Sequence, residues 1–376
     1  MNIYNIKKAI VHDWFAGYAG SERVVESFTN VYPGVPVHVL FNLLTKEEQE
    51  IVAKNSEVVT SFIQKFRGVK KNHRKYLPLF PYAVEQFDLS NYDLILSSSH
   101  AIAKGVLTNS NQLHICYCHT PIRYAWDLTH RYLKESNLDK GLFGLFAKIV
   151  LHYIRIWDAS NVNRVDYFIA NSNYIKRRIK KVYGKDSEVI YPPVDTEKFN
   201  CETQKDNYYL TASRLVSYKR IDLIAQAFTK MPDKKLIIVG DGPEEKKIKK
   251  RSGKNIEMVG YQTGEALAKY MQKAKAFVFA ADEDFGIMVV EALSSGTPVI
   301  AFNKGGVTET IKDGETGILF NDQSVDSITD AVKTFEQKEN NFDSISLSNY
   351  AKQFDRKIFE EKLNKFVIEK CEEFFN

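Results

Sequence analysis

Three glutamates and two glycine-opened helix starts crowd into Ala280–Glu309, AADEDFGIMVVEALSSGTPVIAFNKGGVTE. A short acidic loop, Asp282-Glu283-Asp284-Phe285-Gly286, opens into an apolar helix over Ile287–Leu293. Ser295-Gly296 ends that helix, Thr297-Pro298 leads into a buried strand over Val299–Phe302, and Gly305-Gly306 opens another helix at Glu309. Helix N-termini present unpaired N–H groups and partial positive charge, which favours anions. Glu283, Glu291 and Glu309 offer the acceptors that sugar hydroxyls need. A ligand carrying both features is a nucleoside diphosphate joined to a sugar.

Cationic residues for such a diphosphate stand upstream. A strand beginning at Tyr208 ends at Ser213-Arg214, and Lys219-Arg220 opens the next helix. Arg214 and Lys219 therefore lie beside a strand end and a helix start, where phosphate charge is readily met. Gly240-Asp241-Gly242-Pro243 begins as GxG, but Glu245 takes the third glycine position and the dinucleotide fingerprint fails. Near the N-terminus, Ala9-Ile10-Val11 is a strand ending in His12-Asp13, followed by the small-residue loop Ala16–Gly20 with Gly17 and Gly20. Its spacing matches neither the dinucleotide fingerprint nor a P-loop.

These residues need elements that bring them to one edge. Tyr92–Ser97 and Leu113–Cys118 read as continuous apolar runs, the mark of parallel strands buried on both faces. They are followed by His100, and by His119 with Arg123, so topology makes His12, Asp13, His100, His119 and Arg123 candidates at carboxyl strand ends. A lone histidine more often satisfies a backbone group, so the grouping carries the reading. A further strand is expected near Gly105–Leu107. Cys116 and Cys118 alternate on one strand face; no second Cys/His cluster completes a metal site, and they read as core.

A chain of 376 residues can bury two cores, and 44% hydrophobic with 26% charged residues is ordinary globular composition, which excludes disorder. A net charge of +5 fits an anionic partner without requiring one. Phe62–Tyr82 mixes six cations with aromatics, which suits an anionic membrane surface, suits nucleic acid through base stacking and phosphate pairing, and equally fits a solvated basic loop over a small apolar cluster. Leu142–Trp157 reads as an apolar helix that is either core or docked to a surface, core being the safer reading, and it is too short and too charged to span a bilayer. Without a leader-like N-terminus or an 18-residue apolar run, the expected location is cytoplasmic, or peripheral on the inner membrane face. Pro192-Pro193 marks the domain boundary. The expected division is 1–191, 192–349, and a tail, 350–376, whose helix (Ile358, Leu363, Phe366, Val367) covers an apolar surface and returns to the first domain.

Four stretches, ASRL…YKRIDL (Ala212–Leu223), GDGPE (Gly240–Glu244), EDFGIMVVEALSSGTPVIA (Glu283–Ala301) and GGVTE (Gly305–Glu309), resemble the retaining glycosyltransferases of family 4. Glu283 and Glu291 match that family's E-x7-E pattern. HDWFAGYAGSERVVE (His12–Glu26), SSSHAIAKGV (Ser97–Val106) and CHTPIRYAWD (Cys118–Asp127) resemble its WbaZ-like subgroup of O-antigen mannosyltransferases. Ser21 departs from many relatives, which carry a glycine beside Gly20. The resemblance implies an α/β GT-B fold: two Rossmann-like, doubly wound parallel-sheet domains facing across a cleft, the N-terminal one for acceptor and the C-terminal one for donor.

The resemblance also implies roles. Arg214 and Lys219 would neutralise the donor diphosphate, Glu291 would accept from the ribose, and Glu283 with the amides of Asp284, Phe285 and Gly286, entering the helix at Ile287, would hold the donor sugar. Amides near Gly305 and Gly306 would help cradle phosphate, with Glu309 bracing the loop, and Gly240 belongs to the same donor set. Gly17 and Gly20 would close on the diphosphate and His119 would lie near the transferred sugar, leaving Asp13, His100 and Arg123 to the acceptor side. The nucleotide sugar is a co-substrate; no cofactor and no metal are expected. The expected reaction is transfer of mannose from GDP-mannose, with retention, to a lipid-linked oligosaccharide of surface polysaccharide. A UDP-sugar (glucose, galactose or N-acetylhexosamine) is the alternative donor; a nucleotide-sugar epimerase and a non-catalytic binder are readings of other kinds. No nucleic-acid partner is expected.

Overall fold

A strand buried on both faces presents no polar side to water, and such runs set the framework of the chain. The computed structural model describes residues 6–376 and divides into two units, Met1–Pro193 with Phe359–Asn376, and Val194–Ile358.

In the first unit, strands β1 (Lys8–His12), β2 (Val37–Val39), β3 (Val58–Thr60), β4 (Leu94–Ser99), β5 (Leu113–Cys118), β6 (Tyr167–Ala170) and β7 (Ser187–Val189) form one sheet ordered β3-β2-β1-β4-β5-β6-β7. All its pairings are parallel, with His12 beside Ser98 in the β1–β4 register. The chain runs outward from β1 to β3 and then restarts at β4, so the order reverses between β1 and β4, where α/β sheets open a crevice at their carboxyl ends. Alternation divides the core: Ile10, Leu94 and Leu96 join one cluster and Ala9, Val11 and Ile95 the other. Cys116 and Cys118 share a face, buried with Phe168 and Ile175, and burial pushes the Cys116 thiol up to about 12.

The tail folds as two helices, Ser344–Ala351 and Arg356–Phe375, because Asp355 breaks the run and accepts the N–H of Lys357 at 2.9 Å. The second helix presents Phe359, Leu363, Val367 and Cys371, four apart throughout, to the first unit's core, with Phe359 edge-on to Tyr117 at 5.6 Å. Of the expected residues, Leu363 and Val367 lie in this buried stripe and Phe366 packs partly buried against the same core, while Ile358 gives way to Phe359 and Cys371.

Two expectations are corrected. No strand forms near Gly105–Leu107. Ala103–Gly105 is a turn of 3-10 helix, entered from a loop whose N–H groups at residues 100–103 are gathered by the Asp13 carboxylate and closed by the Gly105 N–H on the Ile102 carbonyl at 2.8 Å. The apolar helix Gly141–Ser160 is not core: Leu151, Ile154 and Trp157 are buried, but Leu142 and Phe143 are 85% and 82% exposed. A helix against one layer buries one stripe, and here a charged network chooses which. Lys104, 1% exposed, pairs with the buried Asp158 at 2.8 Å and donates to Asn161 Oδ1. Asp158 also accepts from Trp126 Nε1 at 2.7 Å and from the Tyr183 hydroxyl at 3.0 Å.

The second unit holds β8 (Tyr208–Ala212), β9 (Lys235–Val239), β10 (Ile256–Gly260), β11 (Ala276–Phe279), β12 (Val299–Phe302) and β13 (Gly317–Phe320), all parallel and ordered β10-β9-β8-β11-β12-β13. Its reversal lies between β8 and β11. Helices Ile221–Thr229 and Val325–Gln337 cover one face through Ile224, Phe228, Val332 and Phe335.

Removing one member of a buried ion pair strands the other charge. Lys104→Met is therefore expected to destabilise the first unit by about 3–5 kcal/mol, and adding Asp158→Leu to recover only part of that, since Trp126 Nε1 and the Tyr183 hydroxyl then lose their acceptor. Urea unfolding of both variants measures it; equal losses would show that the pair is not coupled.

Candidate active site

In the second unit, the loops leaving β8, β9, β11 and β12 lie close enough for backbone to touch backbone. A Cβ on Gly240 would sit 1.9 Å from the Ser213 carbonyl oxygen, and one on Gly242 2.5 Å from that of Leu215. Both glycines have positive φ, 129° and 152°. Their bareness lets Leu215 donate to the Asp241 carbonyl at 2.7 Å and Glu244 to that of Leu215 at 3.0 Å. The Gly240 N–H itself goes to Gly260 at 2.8 Å. Arg214, beside this contact, is exposed. The turn Ser217–Lys219 follows, ended by Arg220 in the left-handed region at φ 57°, an uncommon conformation for a residue with a side chain.

That turn delivers Lys219 to Glu283: the two side chains are paired, 17% and 16% exposed. Glu283 is anchored by its own backbone, bridging to Gly305 and accepting the Gly306 N–H at 2.8 Å. Cβ atoms at Gly305 and Gly306 would fall 2.2 and 2.1 Å from the carbonyl oxygens of Glu283 and Asp284. Gly286, at φ 88°, turns the chain into the Ile287–Ser294 helix, while Phe285 is buried edge-on to Phe354 at 5.7 Å. Glu291, on that helix, is 2% exposed; Glu309 is half-buried in the short helix Val307–Thr310. The structure thus gathers Lys219, Glu283, Asp284, Gly286, Gly305 and Gly306 around the β8–β11 reversal. A lysine, a paired carboxylate and a helix start together can receive a phosphate and a hydroxyl-bearing group side by side.

In the first unit, β1, β4 and β5 end in His12-Asp13, Ser98–His100 and His119. Asp13 is fully buried and accepts N–H bonds from His100, Ala101, Ile102 and Ala103 at 2.6, 3.0, 2.6 and 2.7 Å. His100 Nδ1 lies 2.8 Å from the same carboxylate, a close ion pair off hydrogen-bond alignment. Burial alone would raise the Asp13 pKa; the His100 charge and hydrogen bonding outweigh it and hold the carboxyl well below the usual range. Burial opposes protonation of His100 in turn, but Asp13 prevails and raises its pKa, against the nearby charge of Arg123. His119 is the opposite case: burial, then the neighbouring His100 and His12, lower its pKa well below the ordinary value, so its ring is neutral.

Ser98 links the group. Its hydroxyl is 3.1 Å from His12 Nδ1 and 2.8 Å from His119 Nε2. Glu22 completes it, buried at the start of the Gly20–Val31 helix, with Oε1 3.7 Å from His12 Nε2 and Oε2 accepting the Ala19 N–H at 3.1 Å. Ser98 and Glu22 are absent from the sequence-based set. The serine run closing β4 and a glutamate three residues after the helix cap were the available signals. Gly17 lies in open space, where a Cβ would meet nothing, and Gly20 begins the helix. Among the described residues no group of three or more His, Cys, Asp or Glu side chains is placed to hold a metal ion.

The sign of the His100–Asp13 coupling makes a pH prediction. A histidine raised in the folded state contributes fully below its unfolded pKa, about 6.5, and loses that contribution as pH rises through its folded value. The difference in Tm between the wild type and His100→Phe should be largest below about pH 6.5 and shrink as the solution turns alkaline; a constant difference would refute the coupling.

Comparison with known proteins follows this division. Residues 18–198 match the family model described as Glycosyltransferase Family 4, and residues 195–354 match Glycosyl transferases group 1. Sulfoquinovosyl transferase SQD2 of Arabidopsis thaliana is 29% identical over 161 residues, 40% of this chain and 31% of that protein. A GDP-mannose-dependent alpha-(1-6)-phosphatidylinositol monomannoside mannosyltransferase of Mycolicibacterium smegmatis is 29% identical over 201 residues, 45% of this chain and 53% of its own. The chain spans between about a third and just over half of the length of such curated relatives. In fold it is similar to Anabaena Alr3699/HepE, solved with UDP and glucose, at a TM-score of 0.71 and 17% identity, covering 96% of this chain and 99% of that one. Two adjoining family matches and this shared architecture place the chain among the family 4 glycosyltransferases of GT-B fold.

Proposed function

We propose that the chain is a retaining glycosyltransferase that moves mannose from GDP-mannose, in α-linkage, to a lipid-linked oligosaccharide in surface polysaccharide assembly, as the WbaZ-like subgroup would. The observation that carries the donor half is the Lys219–Glu283 pair at the β8–β11 reversal, framed by Gly286 and Gly305-Gly306. Lys219 and Arg214 are assigned to the diphosphate, Glu283 to a sugar hydroxyl and Glu291 to the ribose. The first unit's strand-end cluster is assigned to the acceptor. His119, a neutral imidazole, is assigned a hydrogen bond to a substrate hydroxyl.

The reaction breaks the bond between the anomeric carbon and the diphosphate oxygen and forms one from that carbon to an acceptor oxygen on the same face. The acceptor's proton passes to the departing phosphate oxygen. Positioning and stabilisation of the diphosphate supply the acceleration. Two cationic side chains meet that charge without a divalent ion, so chelation should leave the rate unchanged. The mannosyl reading is supported by similarity to GDP-mannose-dependent enzymes. A UDP-sugar donor is the second reading, supported by a similar fold solved with UDP and glucose.

Thermal protection separates the donors. GDP at about 100 times its Kd should stabilise the protein by about 2.7 kcal/mol while UDP does little. The reverse selects the UDP reading, and no protection by either overturns both. Lys219→Ala should lower kcat by about 10²–10³, the cost of losing one charge-stabilising donor. Transfer rates, with product anomers assigned by NMR, measure this; an unaltered kcat would remove Lys219 from the reacting site.

A further inference from the structure

Outside both strand-end clusters, the largest unassigned feature is the outer face of the Gly141–Ser160 helix. Leu142, Phe143, Leu145, Phe146, Ile149 and Ile156 are each at least 57% exposed and recur at helical spacing as one stripe. The face cannot turn inward, because the opposite face is fixed by Leu151, Ile154, Trp157 and the Lys104–Asp158 pair. No helix among the described residues is long and apolar enough to cross a membrane. A contiguous apolar face of this size on a water-soluble surface marks a docking site.

The surroundings select the partner. Leu77 packs against the same buried cluster, Ile122, Ala125 and Ile154, as Val150 of this helix, which joins the segment Phe62–Tyr82 to it. That segment contains no Asp or Glu, and Lys65, Arg67, Lys70, Lys71, Arg74 and Lys75 are all exposed. Its aromatic rings pack against one another, Phe62 tilted on Phe66 and Phe66 edge-on to Tyr76, rather than standing open for bases. A second copy meeting this face about a twofold axis would set the same cations against themselves. A bilayer with anionic headgroups supplies both an apolar phase for the stripe and phosphates for the cations.

We propose that this face is a membrane-docking surface for anionic phospholipid. The helix lies in the plane of the interface, Phe143 and Phe146 enter the acyl region, and the six cations sit over the headgroups. The assignment rests on exposure and charge and is independent of the donor reading.

The test is co-sedimentation of the full chain with vesicles of phosphatidylcholine alone or mixed with phosphatidylglycerol, across ionic strength. The wild type should bind the anionic vesicles at low salt and the neutral ones weakly. Lys70→Gln with Lys71→Gln should weaken anionic binding about 25-fold at low salt, about five-fold per cation. Phe143→Ser with Phe146→Ser should weaken it at least about tenfold and leave only a salt-sensitive remainder. All four side chains are exposed, so thermal unfolding and nucleotide protection should match the wild type and certify the fold. No binding to anionic vesicles at low salt, or wild-type binding by the Phe variant, would overturn the proposal. So would a wild-type dimer, seen by analytical ultracentrifugation without lipid, that the Phe variant makes monomeric while lipid binding stays unchanged; that result assigns the stripe to a second copy.

Discussion

A parallel sheet delivers every strand's carboxyl end to the same edge, and the loops that leave it must then be held without a ladder of their own. Both units face this constraint at the reversal of strand order, and they meet it by opposite means. The first unit uses charge: Asp13, buried at the end of β1, gathers four successive amides of the loop after β4. The second uses vacancy: Gly240, Gly242, Gly305 and Gly306 bring carbonyl oxygens to distances that any side chain would forbid. Charge fixes one loop tightly and needs a counter-ion, which His100 provides. Bare backbone joins loops from different strands and leaves side chains such as Lys219 and Glu283 to face outward from the junction.

Physics made parts of this legible beforehand. Continuous apolar runs located the central strands, because burial on both faces removes polar positions from them. The glycines and carboxylates of Ala280–Glu309 marked a crowded strand-end region, because their spacing is local. What stayed hidden depends on partners distant in sequence. Nothing near Asp13 reveals that residues 100–103 will donate to it, so the strand expected at Gly105–Leu107 was plausible until that loop had a place to go. Ser98 was one of three serines until His12 and His119 arrived on either side. The tail's stripe turned on a register that amphipathicity alone does not settle, since Phe359 and Phe366 are equally apolar and only one meets Tyr117.

The same reasoning explains why Lys219 and Glu283 are paired rather than separately hydrated. Each is only partly exposed, so either charge alone would lose hydration without compensation. Arg220 in the left-handed region and the Glu283–Gly305 bridge fix the two backbones first. The side chains then meet at little further entropic cost. A pair held in this way keeps its lysine oriented. An arriving dianion would exchange one anionic partner for another instead of ordering a free chain, and that is the sense in which the geometry supports a diphosphate.

The Gly141–Ser160 helix shows how a buried polar network can decide what a surface displays. Hydrophobicity alone would favour burying whichever side of this helix is more apolar. Asp158 overrides that preference: a buried carboxylate is tolerable only with its partners, and Lys104, Trp126 and Tyr183 all lie on one side. Satisfying them commits Trp157 and Ile154 inward and turns Leu142, Phe143 and Phe146 outward. The exposed stripe is therefore a consequence of the interior and not a failure of packing. Replacing the outward residues with polar ones would leave every one of those buried contacts intact, so the network itself does not require apolar side chains there.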